Sequence, residues 1–216
     1  MHYEPSAPEE VGGDFYDLFP LTVQRSAFFF GDVCGKGPEA AAVTSLARYT
    51  MRTAAMLHEI PDAVLMDLNT ALLMQNADPI QTCTAVYGEM HMRSDVATIT
   101  LAVAGHPPPM IVRAEGRVEK TSAHGTMLGI VSDPRFETCE VKLSAGDSIV
   151  ICSDGIYDTE IRGARVDERQ VADLLAGIAH VSAKTIVERL TVALQAIDRP
   201  LRDDVAIMAL RNTRSR

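Results

Sequence analysis

The chain has 216 residues, 47% of them hydrophobic and 23% charged, a composition typical of a soluble globular protein and long enough to bury one sizeable core. Its 20 Lys and Arg against 29 Asp and Glu leave a net charge of -9, which argues against nucleic acid as a partner. The longest uncharged stretch, running from Val96 up to Arg113, contains Gly105, His106 and three consecutive prolines, so it predicts no membrane span.

In chain order, alternation through Phe15 to Val23 predicts a first strand, and the apolar run from Ala27 to Phe30 a second. Pro38 suits the first turn of a helix. Val43, Leu46, Thr50, Ala54 and Leu57 then recur every three to four residues, and Val64, Leu68 and Leu72 do the same after Pro61, predicting two amphipathic helices. Strands follow at Thr82 to Met90 and Val96 to Ala104, joined by a hairpin connection over 91–95. Further strands are predicted at Met110 to Arg113, Glu137 to Leu143, Asp147 to Cys152 and Val205 to Leu210, with helices at Asp167 to Ala179 and Ser182 to Ile197. Gly116 to Pro134 has loop composition, and a flexible tail is expected over 212–216. Strands in runs and helices in pairs indicate an α+β layered sandwich with largely antiparallel sheets, organised as one domain over 1–211.

Four acidic positions sit at the edges of apolar runs. Asp14 follows Gly12-Gly13, Asp32 follows Phe28-Phe29-Phe30-Gly31, Asp154 follows Ile149 to Ser153, and Asp203-Asp204 precede Val205-Ala206-Ile207. In an antiparallel sheet the end of one strand neighbours the start of the next, so carboxylates at these places converge at one rim. Clustered carboxylates raise one another's pKa unless a divalent cation neutralises them, and hard oxygen donors favour Mg²⁺ or Mn²⁺. Two such ions about 3.5–4 Å apart would lower the pKa of a shared water and hold a phosphoryl group for in-line attack. An Asp beside a strand is more often an ordinary cap or turn residue, so the repetition, and not any single position, points to phosphoester hydrolysis.

These residues also carry a resemblance. Val11-Gly-Gly-Asp-Phe-Tyr-Asp17, Gly31-Asp-Val-Cys-Gly-Lys-Gly37, Ala104-Gly-His-Pro-Pro-Pro109, Ser153-Asp-Gly155 and Asp203-Asp204 resemble, in order, the motifs of the SpoIIE/RsbU-type branch of the metal-dependent protein phosphatase (PPM) family. The resemblance implies an antiparallel β-sandwich flanked by helical layers, and a two-metal site. Asp14 would lie in or beside one ion's shell, Asp32 would bridge both, Val33 would lend its backbone carbonyl, and Asp154 and Asp203 would be ligands with Asp204 in close support. It further implies direct attack of a metal-bound hydroxide on phosphorus, without a covalent phosphoenzyme. The implied substrate is a phosphoserine or phosphothreonine of a small regulatory protein, an anti-sigma-factor antagonist. Family members usually have an earlier strand and often an upstream sensor domain or activator. The chain begins shortly before Asp14, so both are expected to be lacking.

Two other readings stay open at this level: a catalytically silent relative that binds protein, against which the intact aspartates argue, and a hydrolase of small phosphoesters. Cys34, Cys83, Cys139 and Cys152 show no CxxC pair and are expected to be reduced and mostly buried, Cys34 as a packed small residue and not a nucleophile. His106 reads as a structural loop histidine, Lys36 as a solvated lysine at a helix start, and Met51, Met56, Met66 and Met74 as core filler. The start of the chain lacks a basic segment followed by an apolar core, and its Glu4, Glu9 and Glu10 are unlike a transit peptide, so a cytoplasmic location is expected.

Overall fold

A computed structural model describes residues 1–4, 12–75, 81–158, 160–161, 164–195 and 204–213. Among them the strands form two five-stranded antiparallel sheets and one small ribbon. The first sheet has β2 (Asp14–Pro20), β3 (Arg25–Val33), β4 (Cys83–Arg93), β5 (Val96–Ala104) and β8 (Thr138–Leu143), in that order. The second runs β1 (His2–Glu4), β12 (Val205–Arg211), β9 (Ser148–Cys152), β6 (Met110–Val112) and β7 (Val118–Lys120), and β10 (Glu160–Ile161) pairs with β11 (Ala164–Arg165) as the ribbon. Helices α1 (Pro38–Leu57) and α2 (Pro61–Met74) cover the outer face of the first sheet; a short α3 (Gly155–Asp158) follows β9, and α4 (Glu168–Ala176) and α5 (Ala183–Gln195) cover the second sheet. The result is the expected α/β/β/α sandwich.

Double-sided burial explains why the central strands read as unbroken apolar runs. In β3, Phe28 and Phe30 point between the sheets, against Ile99, Leu101, Ile149, Ile151 and Met208, while Ala27 and Phe29 point outward onto Ala47, Met51, Leu65 and Leu68 of the helices. In β12, Ala206 and Met208 face inward, and Val205 and Ile207 meet Val171, Leu175, Ile186 and Leu190. Pro38 and Pro61 open α1 and α2, and Ile60 takes the extended conformation (φ -116°, ψ 122°) that the residue before a proline favours. Asp167 caps α4 reciprocally with Gln170 in a capping box.

Several expectations are corrected. The strand predicted from Phe15 to Val23 starts at Asp14 and stops at Pro20, because the amides of Leu21 and Thr22 turn back to the Arg25 carbonyl and leave Val23 exposed. Strand pairing continues through Arg93–Val96, so the 91–95 connection shrinks to a tight turn with Ser94 at φ 55°. A strand precedes Asp14 after all: β1, whose backbone pairs with Val205–Ile207. The stretch 116–134 holds β7 and buries Thr121, Ala123 and Leu128, so it is an ordered coil and not a loose loop. Asn212 does not belong to a tail: it is buried, its side-chain amide donates to the carbonyls of Asp95 and Leu143 (both 2.8 Å), and its backbone bonds to Gly146 and Asp147. Residues 214–216 and the expected helix end at Ile197 lie outside the described residues.

Of the methionines expected in the core, Met51 is there, but Met56 and Met74 face solvent, because they fall off the helix faces that carry Val43, Ala47, Met51 and Val64, Leu65, Leu68. All four cysteines are free thiols; Cys83 and Cys152 are buried, Cys139 is half-buried, and Cys34 is exposed, not packed.

The helix faces make a direct test. Leu65→Ala, at a fully buried position, is expected to cost about 2–5 kcal/mol, whereas Leu57→Ala, at a position 73% exposed, is expected to stay within about 0.5 kcal/mol. Urea unfolding midpoints check both; equal losses would mean the helices pack by another face.

Candidate metal centre

Asp14 begins β2 and Asp32 lies one residue before the end of β3, and the two are direct partners across the strand pair. Their opposition is held closely. A Cβ on Gly13 would fall 2.3 Å from the Val33 carbonyl oxygen and 2.6 Å from Asp32 Oδ1, so only glycine lets this backbone approach, and the Val33 amide donates to the Gly13 carbonyl at 3.1 Å. Asp32 is half-buried, and both carboxylate oxygens of Asp14 are shut away from solvent.

The second sheet brings its own pair to a strand end. Asp154 follows β9 by two residues, Asp204 directly precedes β12, and Cys152 is the partner of Ile207 in the ladder between those strands. Ser153 ties the two ends together: its amide donates to the Ala206 carbonyl (3.0 Å), and its hydroxyl accepts from the Ala206 amide (2.9 Å) and donates to the Asp204 carbonyl (3.4 Å). Asp204 is buried and Asp154 is exposed. Asp203 lies outside the described residues.

Two side chains fasten one pair to the other. Lys36, expected to be solvated, reaches from the loop after β3 to within 3.7 Å of Asp204 Oδ1. His106, just beyond β5, spans the sheets: Nε2 lies 3.2 Å from the Cys152 carbonyl and Nδ1 2.8 Å from the Thr84 hydroxyl, while its ring meets Phe30 edge-on. Thr84 is the partner of Asp32 on the β4 side. Because a carbonyl only accepts, Nε2 carries the proton and Nδ1 accepts from Thr84, which is the neutral tautomer. Burial agrees, depressing the His106 pKa to about 4 against a weaker opposing effect of the Cys152 carbonyl. Burial likewise pushes the Cys152 thiol up to about 12 and raises Cys83, so neither offers a thiolate.

Among the described residues no three His, Cys, Asp or Glu side chains are grouped closely enough to hold a metal by themselves. The donor chemistry nonetheless suits a hard divalent cation. Two carboxylates opposed across one rung repel unless a cation lies near, and the close approach at Gly13 sets the Val33 carbonyl beside the Asp32 carboxylate as a further oxygen donor. Sequence reasoning singled out the aspartates and held Ser153 and Lys36 within its motifs, but it gave no sign of Thr84 or of the partners that Ser153 and Lys36 take, which are recognisable only once the strands are paired.

The His106 strut predicts a pH dependence. The unfolded residue titrates near 6.5 and the folded one at about 4, so between these values the unfolded state binds more protons. Stability is therefore full above about pH 6.5 and falls as the pH drops toward 4, by about 2 kcal/mol already at pH 5. Urea titrations from pH 7 to 5 should show this loss in the wild type and a flatter profile in His106→Gln.

The profile of the family described as Stage II sporulation protein E (SpoIIE) matches residues 22–213. Phosphoserine phosphatase RsbU of Bacillus subtilis is 28% identical over 205 residues, covering 94% of this chain and 60% of RsbU, so the chain spans less than two thirds of that relative. The SiaA-PP2C domain of Pseudomonas aeruginosa superposes with a TM-score of 0.84 at 22% identity, over 97% of this chain and 84% of that one. RsbX in complex with magnesium superposes at 0.71 with 14% identity, over 96% and 91% of the two chains. At those identities the two structures speak for the fold. Among the described residues no helix is long and apolar enough to cross a membrane. With residues 22–213 matched by its profile, the chain belongs to the SpoIIE family.

Proposed function

We propose that the chain is a metal-dependent protein phosphatase domain that hydrolyses phosphoserine or phosphothreonine on a small regulatory protein in the cytoplasm. The observation that carries this reading is the opposition of Asp14 and Asp32 at the end of one sheet, tied through His106 and Lys36 to the strand ends bearing Asp154 and Asp204. Phosphoserine phosphatase RsbU supports the reaction class, and RsbX, described with magnesium, supports the metal.

In this reading Asp14, Asp32, Asp154 and Asp203 would supply the carboxylate ligands for two Mn²⁺ or Mg²⁺ ions, Asp32 being the ligand common to both, the Val33 carbonyl would add a neutral oxygen and Asp204 would give close support. The ions, when bound, would acidify a water and offset charge on the phosphoryl oxygens. The chain's own part is to hold the oxygens. Gly13 admits the close approach that aims Val33 and Asp32 together, Ser153 fixes the spacing of Asp154 and Asp204, and neutral His106 keeps the sheets in register without adding charge that would compete with a cation. The substrate class proposed is an anti-sigma-factor antagonist, by likeness to the family, with an upstream sensor domain or activator supplying the signal.

Phosphate release from a phosphoserine protein, measured with and without Mn²⁺, tests the reading. Wild type should release phosphate only with metal, and Asp32→Ala and Asp154→Ala should each lower the rate at least about 100-fold, the scale of losing a main source of transition-state charge stabilisation. Release from small phosphoesters but not from the protein would move the substrate class. No release from folded, metal-loaded wild type would leave a protein-binding relative.

A further inference from the structure

Helix α2 buries an amide on an otherwise apolar face. Asn69 sits among Leu65, Leu68 and Leu72, and none of its surface reaches solvent. Burying a primary amide is unfavourable unless both its halves are hydrogen-bonded. Both are bonded, and to one place. Asn69 Oδ1 accepts from the Gly129 amide at 2.9 Å, and Nδ2 donates to the Val131 carbonyl at 3.0 Å, so a single side chain clasps the turn at 128–131.

That turn is seated against the start of β4, the strand that pairs with the segment bearing the candidate site. Leu128 and Cys83 exchange two backbone hydrogen bonds (3.0 and 3.3 Å), and a Cβ on Gly129, at φ +84°, would fall 2.4 Å from the Gln81 carbonyl oxygen. Cys83 opens β4, where it is the partner of Val33; its neighbour Thr84 is the partner of Asp32; and the Thr82 carbonyl accepts from the Cys34 amide at 3.0 Å. The Val33–Cys83 rung is the last of the β3–β4 ladder, and terminal rungs fray first unless something holds their outer side. Here the turn is that support, and Asn69 holds the turn.

We propose that Asn69 is a positioning residue for the Asp32–Cys34 segment, acting through the 128–131 turn that backs the last rung of the β3–β4 ladder. That the segment is a metal-binding one rests on the function proposed above; the mechanical coupling does not.

The coupling can be read without metal. Hydrogen exchange on the metal-free full chain, followed by mass spectrometry, should show peptides covering Cys34, Cys83 and Leu128 exchanging at least tenfold faster in Asn69→Leu than in wild type. Asn69→Asp, which keeps an acceptor for Gly129 but loses the donor to Val131, should give a smaller rise at the same peptides, and it serves if Asn69→Leu does not fold. Leu68→Ala, a buried neighbour on the same helix, provides the control for general destabilisation. It should leave the Cys34 peptide protected relative to its loss of global stability. Mn²⁺ titration by calorimetry should then give at least tenfold weaker binding for Asn69→Leu and little change for Leu68→Ala.

Faster exchange confined to 128–131, or a rise at Cys34 no larger than in Leu68→Ala, overturns the proposal. Wild type that binds no Mn²⁺ overturns the metal reading instead, and the exchange comparison still decides the coupling.

Discussion

Two carboxyl groups face each other across one rung of a sheet, and the architecture holds them there. Asp14 opposite Asp32 is unfavourable in isolation, since directly opposed carboxylates destabilise a strand pair. A slip of one residue would separate them, but it would also turn Phe28 and Phe30 out of the space between the sheets and Ala27 and Phe29 away from the helices. With both faces of β3 buried, a one-residue slip would drive Phe28, Phe29 and Phe30 into layers packed for the opposite face and forfeit their fitted burial. Each phenylalanine is worth about 1.5–3 kcal/mol when fully buried, more in sum than the repulsion of one half-buried pair. The opposition of the two carboxylates is thereby retained, and a cation placed at that rung would favour it.

The same reasoning governs how the two sheets meet. The candidate site draws one carboxylate pair from each sheet, so its geometry depends on how the sandwich is fastened at that end. The apolar layer between the sheets supplies adhesion but little direction; Phe30, Ile151 and Met208 would tolerate small slides. Direction comes from polar contacts at the rim. His106 fixes the strand bearing Thr84 relative to the strand ending at Cys152, and Lys36 joins the loop after Val33 to Asp204. The two differ in kind. His106 is neutral and buried, so its bonds hold whatever cations are present, whereas Lys36 is itself a cation beside Asp204 and responds to any charge that arrives there.

How far the chain could be read beforehand follows from where each signal lives. Strand β5 was legible to its ends because Val96 to Ala104 alternates in a period of two over nine residues. The α2 helix was legible because Pro61 starts it and Val64, Leu68 and Leu72 mark one face. The aspartates were legible because each interrupts an apolar run. What failed was of two sorts. Three-residue strands such as β1 and β7 carry no period, and they exist only because β12 and β6 offer them an edge. Polar residues whose partners are remote in sequence also gave no sign. Asn212, written off to a tail, closes the turns at Asp95 and Asp147, and Asn69 finds its partners 60 and 62 residues away.

Those remote polar contacts share a property that bears on function. Asn69, His106 and Asn212 are buried side chains bonded to backbone carbonyls or amides of segments outside their own strand or helix, and each secures irregular chain that no ladder would secure. Apolar packing alone would settle the sandwich while leaving the strand ends at this rim free to fray, and the start of β2, the ends of β3 and β9 and the start of β12 are where the carboxylates sit. A buried polar contact is costly to break and specific in direction, so it fixes strand ends to within a hydrogen bond's tolerance, as an oxygen cage for a small divalent cation requires. The core residues make the sheets; the few buried polar residues make their ends usable.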